Sequence, residues 1–401
     1  MKRTTEFIHT IIFIFLALIP AVSCKNELWP VKDSDSDSDS SVKTVSTANR
    51  TIRIPGDDRD ADFVMIDVNI EGGIDEIILG EDLIEVPYRT TVSSFSLARY
   101  ETSYNTWYAV LQWANSHGYT IVNKGVEGLY GTDAEHQSNM SDPGSKPNLV
   151  EMPVCGLTWR DVMVWCNALS EMCGLTPVYY TDANFKTPIR DSTGPDSKEL
   201  SDYLIQPGKV DNPYVNKNAN GYRLAYREEW EYAARKKKDG GFISGRNVSG
   251  DDSGAMFGPT AIETMNGISF PVSKIYGNYI WWAKNSSGGC SKTASGYDDS
   301  TTKLQEKNSS ISGLRTHLSG GKLPNHLGFY DMSGNVPEWC FDYNTTYGST
   351  NKFHTMRSFK GGDQVNQSYE GNPVHCSGNT GGQLVRECGG FRIAQNIPKN
   401  N

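Results

Sequence analysis

The residues with the most scope for chemistry lie between Gly328 and Trp339, in the sequence GFYDMSGNVPEW. Residues 333–335, Ser-Gly-Asn, have the dihedral freedom of a sharp turn. The side-chain oxygens of Asn335 and Glu338 and the carbonyl of Val336 could then converge on a hard cation such as calcium. A turn held by hydrogen bonds without metal is the alternative. Residue chemistry alone favours that alternative, because calcium usually takes six or more oxygen ligands.

Other catalytic patterns are missing from the sequence. It contains no G-x-S-x-G, no P-loop, no G-x-G-x-x-G and no C-x-x-C, and its seven histidines are scattered. Asp331, Glu338 and Asp342 cluster in sequence and could pair for acid–base work. The formal net charge is −9. An acidic chain repels phosphate backbones, so no nucleic acid is expected among its partners.

The first residues have the pattern of a processing signal. A basic start is followed by an apolar stretch from Ile11 to Ile19 and by small residues just before Cys24. Small residues directly before a cysteine resemble a bacterial lipobox, in which residues 1–23 are removed and Cys24 is lipidated. An ordinary secretory signal cleaved nearby is the alternative, since Ala21 stands where a leucine is usual.

A polar segment separates this signal from the rest of the chain. Residues 33–40 repeat Asp-Ser four times, and the run from there to about Arg50 has almost no large apolar side chains, which predicts a disordered tether over 24–50. The domain is then expected to occupy residues 51–401. A lipid on Cys24 would hold this domain on a membrane. The expected location is the cell envelope, at the outer membrane or cell surface.

Two helices are predicted from apolar periodicity. The first contains Trp107, Val110, Leu111 and Ala114 and stops near Gly118. The second begins after the cap Thr158, presents Val162, Trp165, Cys166 and Leu169 on one apolar face, and ends before Gly174. Strands are predicted over residues 63–68 and 88–95, and long loops over 181–220, 240–270 and 285–325. The acidic insertion 71–85 has no assigned position.

Seven cysteines remain once Cys24 is set aside, so an unpaired monomer has at least one free thiol. Cys166 and Cys173 are seven residues apart in the second predicted helix. That separation is about 10.5 Å of helical rise, beyond the reach of a disulfide. Trp159, Trp230 and Trp339 are expected in the core.

Five segments, in order, resemble one known family. They are FSLARYETSYNTWY (95–108), PVCGLTWRDVMVWCN (153–167), YRLAYREEWEYAAR (222–235), GFYDMSGNVPEWCFD (328–342), and the pair KGG (360–362) and GFR (390–392). Together they are similar to the formylglycine-generating-enzyme-like family, also called the sulfatase-modifying factor domain. The resemblance implies an α+β, irregular and loop-rich C-type-lectin-like fold with short strands and few helices. It also implies a third helix from Arg227 to Lys237, with a cap weakened by Tyr226.

The resemblance does not extend to the family's copper site. Aerobic formylglycine-generating enzymes bind copper(I) through two cysteines in the pattern GG-S-x-x-C-x-x-x-x-C, because soft thiolates suit copper(I). Counting from Gly361 places these positions at Asn366 and Gly371, which have no thiol. The copper pair is therefore predicted to be absent. An enzymatic role stays uncertain, with the balance against it.

A binding surface is the remaining prediction. The segment 363–387 is rich in Asn, Gln, Ser, Tyr, His and Gly, a mixture that suits adaptable recognition. In the family that it resembles, this segment forms the active or ligand site. The residues predicted to bind a protein or glycan ligand are Asp363, Gln364, Asn366, Gln367, Tyr369, Glu370, Asn372, His375, Asn379 and Gln383. An ordinary exposed loop is the alternative.

Three functions follow from these observations. The first is a surface-anchored lipoprotein that binds its ligand without catalysis. Variable proteins diversified by retroelements vary this segment on the same fold, although Gln364, Gln367 and Glu370 would have to be fixed positions here. The second is a formylglycine-generating oxidase that acts on a sulfatase cysteine. The third is a structural envelope protein.

Overall fold

The computed structural model describes residues 42–56, 58–80, 88–128, 142–149, 151–195, 206–244, 247–253, 315–343, 356–362 and 389–397, with short pieces at 264–265, 268–269, 273, 275–282, 285–286 and 380–381. The predicted signal peptide, the lipidation site Cys24 and most of the tether lie outside these residues. No helix among the described residues is long and apolar enough to cross a membrane.

The larger sheet has five antiparallel strands. Their spatial order is β1 (Val45–Ile52), β2 (Phe63–Ile70), β5 (Phe95–Ala98), β17 (Ile393–Asn396) and β10 (Tyr222–Leu224). The strand predicted at 63–68 is confirmed as β2. The predicted tether overlaps β1, because this edge strand has few apolar residues and its sequence looks like a linker. One of its polar residues, Arg50, pairs with Asp67 of β2 at 2.8 Å.

The second sheet contains the signature segment. Its order is β15 (Thr380–Gly381), β14 (Met356–Lys360), β13 (Glu338–Tyr343) and β16 (Gly390–Phe391). β13 is antiparallel to β14 and parallel to β16. Four two-stranded ladders complete the described strands: β3 (Ile74–Leu79) with β4 (Tyr88–Ser93), β6 (Val126–Glu127) with β7 (Val154–Cys155), β8 (Tyr179–Tyr180) with β9 (Tyr214–Val215), and β11 (Thr264–Met265) with β12 (Ile268–Ser269).

Three α-helices are described: α1 (Tyr104–Ser116), α2 (Trp159–Met172) and α3 (Arg227–Arg235). The first two confirm the predictions, and Thr158 caps α2 as expected. Burial of α2 differs from the prediction, since residues 159–170 are buried on every side. Its charged Arg160 is buried as well. The Nε of Arg160 donates to Asp211 Oδ1 at 2.7 Å, and this pairing compensates the cost of burying the charge.

The third helix shows how a missing cap is replaced. It ends at Arg235 rather than Lys237, because Lys236 is extended and its Nζ lies 2.7 Å from Asp75 Oδ2. At the other end, the Arg227 amide donates to Asp342 Oδ2 at 2.6 Å. A carboxylate from β13 therefore caps the helix where the local sequence lacks a good capping residue. Asp75 lies on β3, which gives residues 71–80 of the acidic insertion a position in the fold, while residues 81–85 lie outside the described residues.

Stacked aromatic rings form the centre of the larger core. Trp107 of α1 and Trp165 of α2 stack with ring centroids 5.4 Å apart, and Phe391 meets both edge-on. The prediction that Trp159, Trp230 and Trp339 are core residues is confirmed, since all three are fully buried. The described cysteines are free thiols, so Cys166 and Cys173 do not pair; these free thiols are Cys155, Cys166, Cys173 and Cys340.

Candidate functional site

The signature turn lies directly against the end of β14. Gly334 has a φ of +75° and its amide donates to the Gly361 carbonyl at 2.7 Å. A Cβ atom on Gly334 would lie 2.0 Å from the Trp281 carbonyl oxygen. Only glycine fits this position, because any side chain would collide with backbone. The turn thereby fixes where β14 ends and where residues 363–387 begin.

Asn335 is bonded entirely within the protein. It has a φ of 60°, its Nδ2 donates to Glu101 Oε2 at 2.8 Å, and its Oδ1 accepts from the His317 amide at 2.8 Å. The Val336 amide donates to the other oxygen of Glu101 at 3.2 Å. These bonds hold Asn335 in the left-handed αL backbone conformation, which residues other than glycine rarely adopt.

Glu338 forms a buried ion pair with the GFR segment. Arg392 Nη2 lies 2.7 Å from Glu338 Oε1, and Arg392 Nε is 3.1 Å from Oε2. Trp230 Nε1 also donates to Oε2, at 2.7 Å. The arrangement around Asn335 and Glu338 is therefore that of a hydrogen-bonded turn. Calcium at Asn335, Val336 and Glu338 stays a prediction, and it would have to displace Arg392 from the carboxylate.

The same glutamate marks both ends of the predicted ligand segment. In the sheet register, Glu338 is opposite Lys360 on one side and opposite Gly390 on the other. The described residues on either side of the segment, Lys360 and Gly390, therefore lie beside one position of β13. Ion pairs fix each end: Arg392 with Glu338, and Lys360 Nζ with Glu231 Oε2 at 3.1 Å. All four charged groups are at most 1% exposed, so a buried ion pair lies at each end of the segment.

The side chains predicted to bind ligand lie outside the described residues. They are Asp363, Gln364, Asn366, Gln367, Tyr369, Glu370, Asn372, His375, Asn379 and Gln383. The structure describes the residues on either side of them, and their roles stay predictions.

The three signature carboxylates serve separate partners. Glu338 pairs with Arg392, Asp342 caps α3, and Asp331 Oδ2 accepts from the Gly320 amide at 2.6 Å. Burial raises the pKa of Asp331 to about 6, and its Oδ1 has no hydrogen-bond partner. Burial also raises the pKa of Glu101, whose importance the sequence analysis missed. The only available signal for Glu101 was its place in the resembling segment 95–108.

The described thiols do not have the properties of a copper(I) pair. Cys155, Cys166 and Cys340 are buried, and burial raises the pKa of Cys166. Burial also raises the pKa of Cys173 to about 11. A raised pKa disfavours the thiolate that binds soft metals. Within the described ranges, no group of three His, Cys, Asp or Glu side chains could hold a metal ion.

His317 is buried against an aromatic ring. Its ring stacks on Trp281 with centroids 3.7 Å apart, and burial lowers its pKa to about 3. Lys322 Nζ lies 3.9 Å from the centre of a Trp281 ring and donates to the Gly277 carbonyl at 2.6 Å. Burial lowers the pKa of Lys322 to about 8. These groups support the turn from behind, since the His317 backbone bonds Asn335.

The chain is similar to several known proteins. The "Chaperone protein LppX" of Paenibacillus barcinonensis is 30% identical over 217 residues, which cover 54% of this chain and 60% of that relative. "Treponema denticola variable protein 1" superimposes with a TM-score of 0.53 at 20% identity, covering 87% of this chain and 99% of that one. The structure titled "Crystal Structure of CarF" has a TM-score of 0.49 at 21% identity, covering 88% and 99%.

The superposition on the Treponema denticola protein confirms the predicted α+β, loop-rich fold of the formylglycine-generating-enzyme and C-type-lectin-like type. Residues 42–397 match the sulfatase-modifying factor enzyme 1-like domain. The matched range includes β1 and all five segments in which the sequence resembles the family. The chain belongs to the sulfatase-modifying factor enzyme 1-like domain family.

Proposed function

We propose that this protein binds a ligand through residues 363–387, without catalysis, while anchored to the cell envelope through Cys24. One observation carries the binding role: both ends of the segment are fixed beside Glu338 by the buried pairs Arg392–Glu338 and Lys360–Glu231. A loop on a rigid base can vary its surface without disturbing the core. The mixed polar and aromatic composition of the segment suits such a surface.

The non-catalytic part of the proposal rests on the thiols. The positions that correspond to the copper cysteines are Asn366 and Gly371, and the described cysteines are buried or have a raised pKa. Oxygen activation on a substrate thiolate needs a soft metal site, and neither amide nor glycine side chains supply one.

A protein ligand is favoured over a glycan. The Paenibacillus barcinonensis relative is named a chaperone, a role that requires contact with another protein chain, although the present chain spans only 60% of it. The Treponema denticola variable protein supports the fold alone at 20% identity. Retroelement diversification of 363–387 stays a separate proposal, which resequencing of this segment across clonal descendants would test.

A binding screen with a matched variant tests the proposal. The full chain, purified in detergent, is tested against a glycan array and against envelope proteins of its host, beside a variant with residues 363–387 scrambled. Val122→Asn, an exposed change outside the segment, is the control. We expect a ligand that binds the parent and the control but not the scrambled variant. Equal binding by all three folded proteins would contradict the proposal.

Catalysis is tested separately. The full chain is incubated with copper(I) and a cysteine-containing sulfatase-motif peptide, and aldehyde formation is followed by mass spectrometry. We expect no aldehyde, and turnover would overturn the non-catalytic role.

The anchor is tested by labelling with a fatty acid in cells, where Cys24→Ser should abolish incorporation. Persistent labelling of that variant would contradict the lipidation at Cys24.

A further inference from the structure

The two edges of the larger sheet differ in how their backbone groups are used. At the edge formed by β10, the Tyr222 amide donates to Ser170 Oγ at 2.7 Å, and the Leu224 amide donates to Tyr179 Oη at 3.0 Å. Side chains therefore cover this edge, which is only three residues long. The opposite edge is β1, which has eight residues and, among the described strands, pairs with β2 alone. β1 is the edge to which another strand can be added.

The register of β1 shows which of its backbone groups point outward. The Glu71 amide donates to the Thr44 carbonyl at 3.1 Å, and hydrogen-bonded pairs alternate along an antiparallel ladder. The even-numbered residues of β1 therefore bond to β2. The odd-numbered Thr47, Asn49 and Thr51 direct their N–H and C=O groups away from β2, and none of the described residues bonds to these groups.

Features that usually protect an edge strand are missing from β1. Its sequence, VSTANRTI, has no proline and no lysine, and its eight-residue register with β2 has no bulge. Its one charged side chain, Arg50, reaches across the sheet: Nε donates to Asp67 Oδ2 at 2.8 Å, and Nη2 donates to Ser96 Oγ at 3.2 Å and to Gln395 Oε1 at 3.0 Å. The strand thus has neither the outward charge nor the irregularity that keeps other strands away.

We propose that β1 pairs with β1 of a second copy of this chain, antiparallel and about a two-fold axis. The outward-facing odd-numbered residues of the two copies can then bond to one another. With the axis at Asn49, Thr47 of one copy is opposite Thr51 of the other, and Arg50 is opposite Ala48. Threonine pairs favour such a ladder, and no like charges are opposite each other.

A second copy fits this edge better than a foreign strand. Foreign strands are selected by side-chain pockets, whereas the exposed residues of β1 are small or polar: Ser46, Ala48, Asn49 and Thr51. A two-fold pair needs no pockets, because each copy presents the same donors and acceptors to the other.

The proposed lipid anchor is compatible with this pair, although the pairing does not depend on it. Two antiparallel copies of β1 begin at opposite ends of their ladder, about 25 Å apart. The roughly 20 residues between Cys24 and β1 can span up to about 65 Å. Both anchors can therefore reach one membrane, which would hold the two copies at high effective concentration.

Cross-linking of the full chain in the membranes of cells that express it tests the pairing. Asn49→Cys is treated with a short bis-maleimide reagent, and the parent gives the background from its own thiols. Asn115→Cys is the matched control, since it makes the same change at an exposed position on α1. We expect a cross-linked dimer with Asn49→Cys and only the parental background with Asn115→Cys.

The mass of the full chain in detergent gives a second test that needs no added cysteine. Light scattering should show two chains per particle. Thr47→Pro removes an outward-facing donor and leaves the ladder with β2 in place, so it should halve the protein mass per particle. Urea denaturation checks that this variant is folded. Asn49→Lys, which places like charges opposite each other, should also shift the protein toward one chain, whereas Asn115→Lys should not.

Several results would overturn the proposal. They are a parental particle with one chain, equal cross-linking of Asn49→Cys and Asn115→Cys, and an unchanged mass in both Asn49→Lys and folded Thr47→Pro. A cross-link from Asn49→Cys to a different protein would show that the edge takes a foreign strand, and would overturn it as well.

Discussion

Two buried carboxylates of the signature segment have opposite surroundings. Glu338 faces the guanidinium of Arg392 and the indole N–H of Trp230. Asp331 receives one backbone hydrogen bond, leaves Oδ1 unpartnered, and has its pKa raised to about 6 by burial. The comparison shows that one short sequence contains both a carboxylate paired with a guanidinium at the sheet and a carboxylate whose pKa is raised by burial.

Removing the partner of Glu338 should have the largest effect. Arg392→Met leaves a buried carboxylate without its counter-charge, which costs about 3–5 kcal/mol of the free energy of unfolding. The measurement is urea denaturation followed by tryptophan fluorescence. Arg89→Met is the control, since the exposed Arg89–Glu76 pair contributes less than about 1 kcal/mol. Similar losses in the two variants would show that the two ion pairs are equivalent.

The contribution of Asp331 to the free energy of unfolding should depend on pH. Because its folded pKa is raised from 3.8 to about 6, Asp331 contributes stability below pH 4 that is lost as the pH rises through 6. Asp331→Asn keeps the shape and tolerates the φ of 53°. Relative to the parent, this variant should gain up to about 3 kcal/mol between pH 4 and pH 7. A stability difference that is constant with pH would contradict the assignment.

The third carboxylate of the segment should have a smaller effect. Asp342→Ala removes the cap on the Arg227 amide and should cost about 0.5–2 kcal/mol in urea denaturation.

Burial and the charge of Asp342 raise the pKa of Glu228 to about 7. Glu228→Gln should therefore stabilise the protein slightly at pH 8. Unchanged stability in Asp342→Ala would contradict the cap, and destabilisation by Glu228→Gln at pH 8 would contradict the raised pKa of Glu228.

Metal removal should have the smallest effect. The side-chain oxygens of Asn335 and Glu338 already accept hydrogen bonds from the protein. We therefore expect the same Tm in EDTA and in calcium by differential scanning calorimetry. A rise in Tm with calcium that disappears in Asn335→Gly would instead establish the cation predicted from the sequence.

Local features of the fold could be predicted from the sequence. Helices α1 and α2 follow from apolar spacing and, for α2, from the cap Thr158, all of which are contained within a few residues. The cap of α3 was not predictable, because Asp342 lies 115 residues from Arg227. β1 was missed for a related reason: its partner on β2, rather than its own composition, makes it a strand.

The candidate site was predictable to a smaller extent. The glycines 361–362 and the GFR segment indicated where the frame lies, yet the Glu338–Arg392 pair depends on folding that brings residues 54 positions apart together. A cavity beside α1 was not predictable at all, because its lining combines Asp60, Glu101 and Glu151, which no sequence pattern connects.

The position of β17 also affects how the domain is made. This strand lies between β5 and β10, in the interior of the larger sheet, although it consists of residues 393–396. A growing chain therefore has a gap in that sheet until synthesis has passed Asn396: β10 has no partner until then, and β5 is paired only with β2. For a chain exported before it folds, late closure of the sheet would delay premature folding and keep the polypeptide competent for translocation.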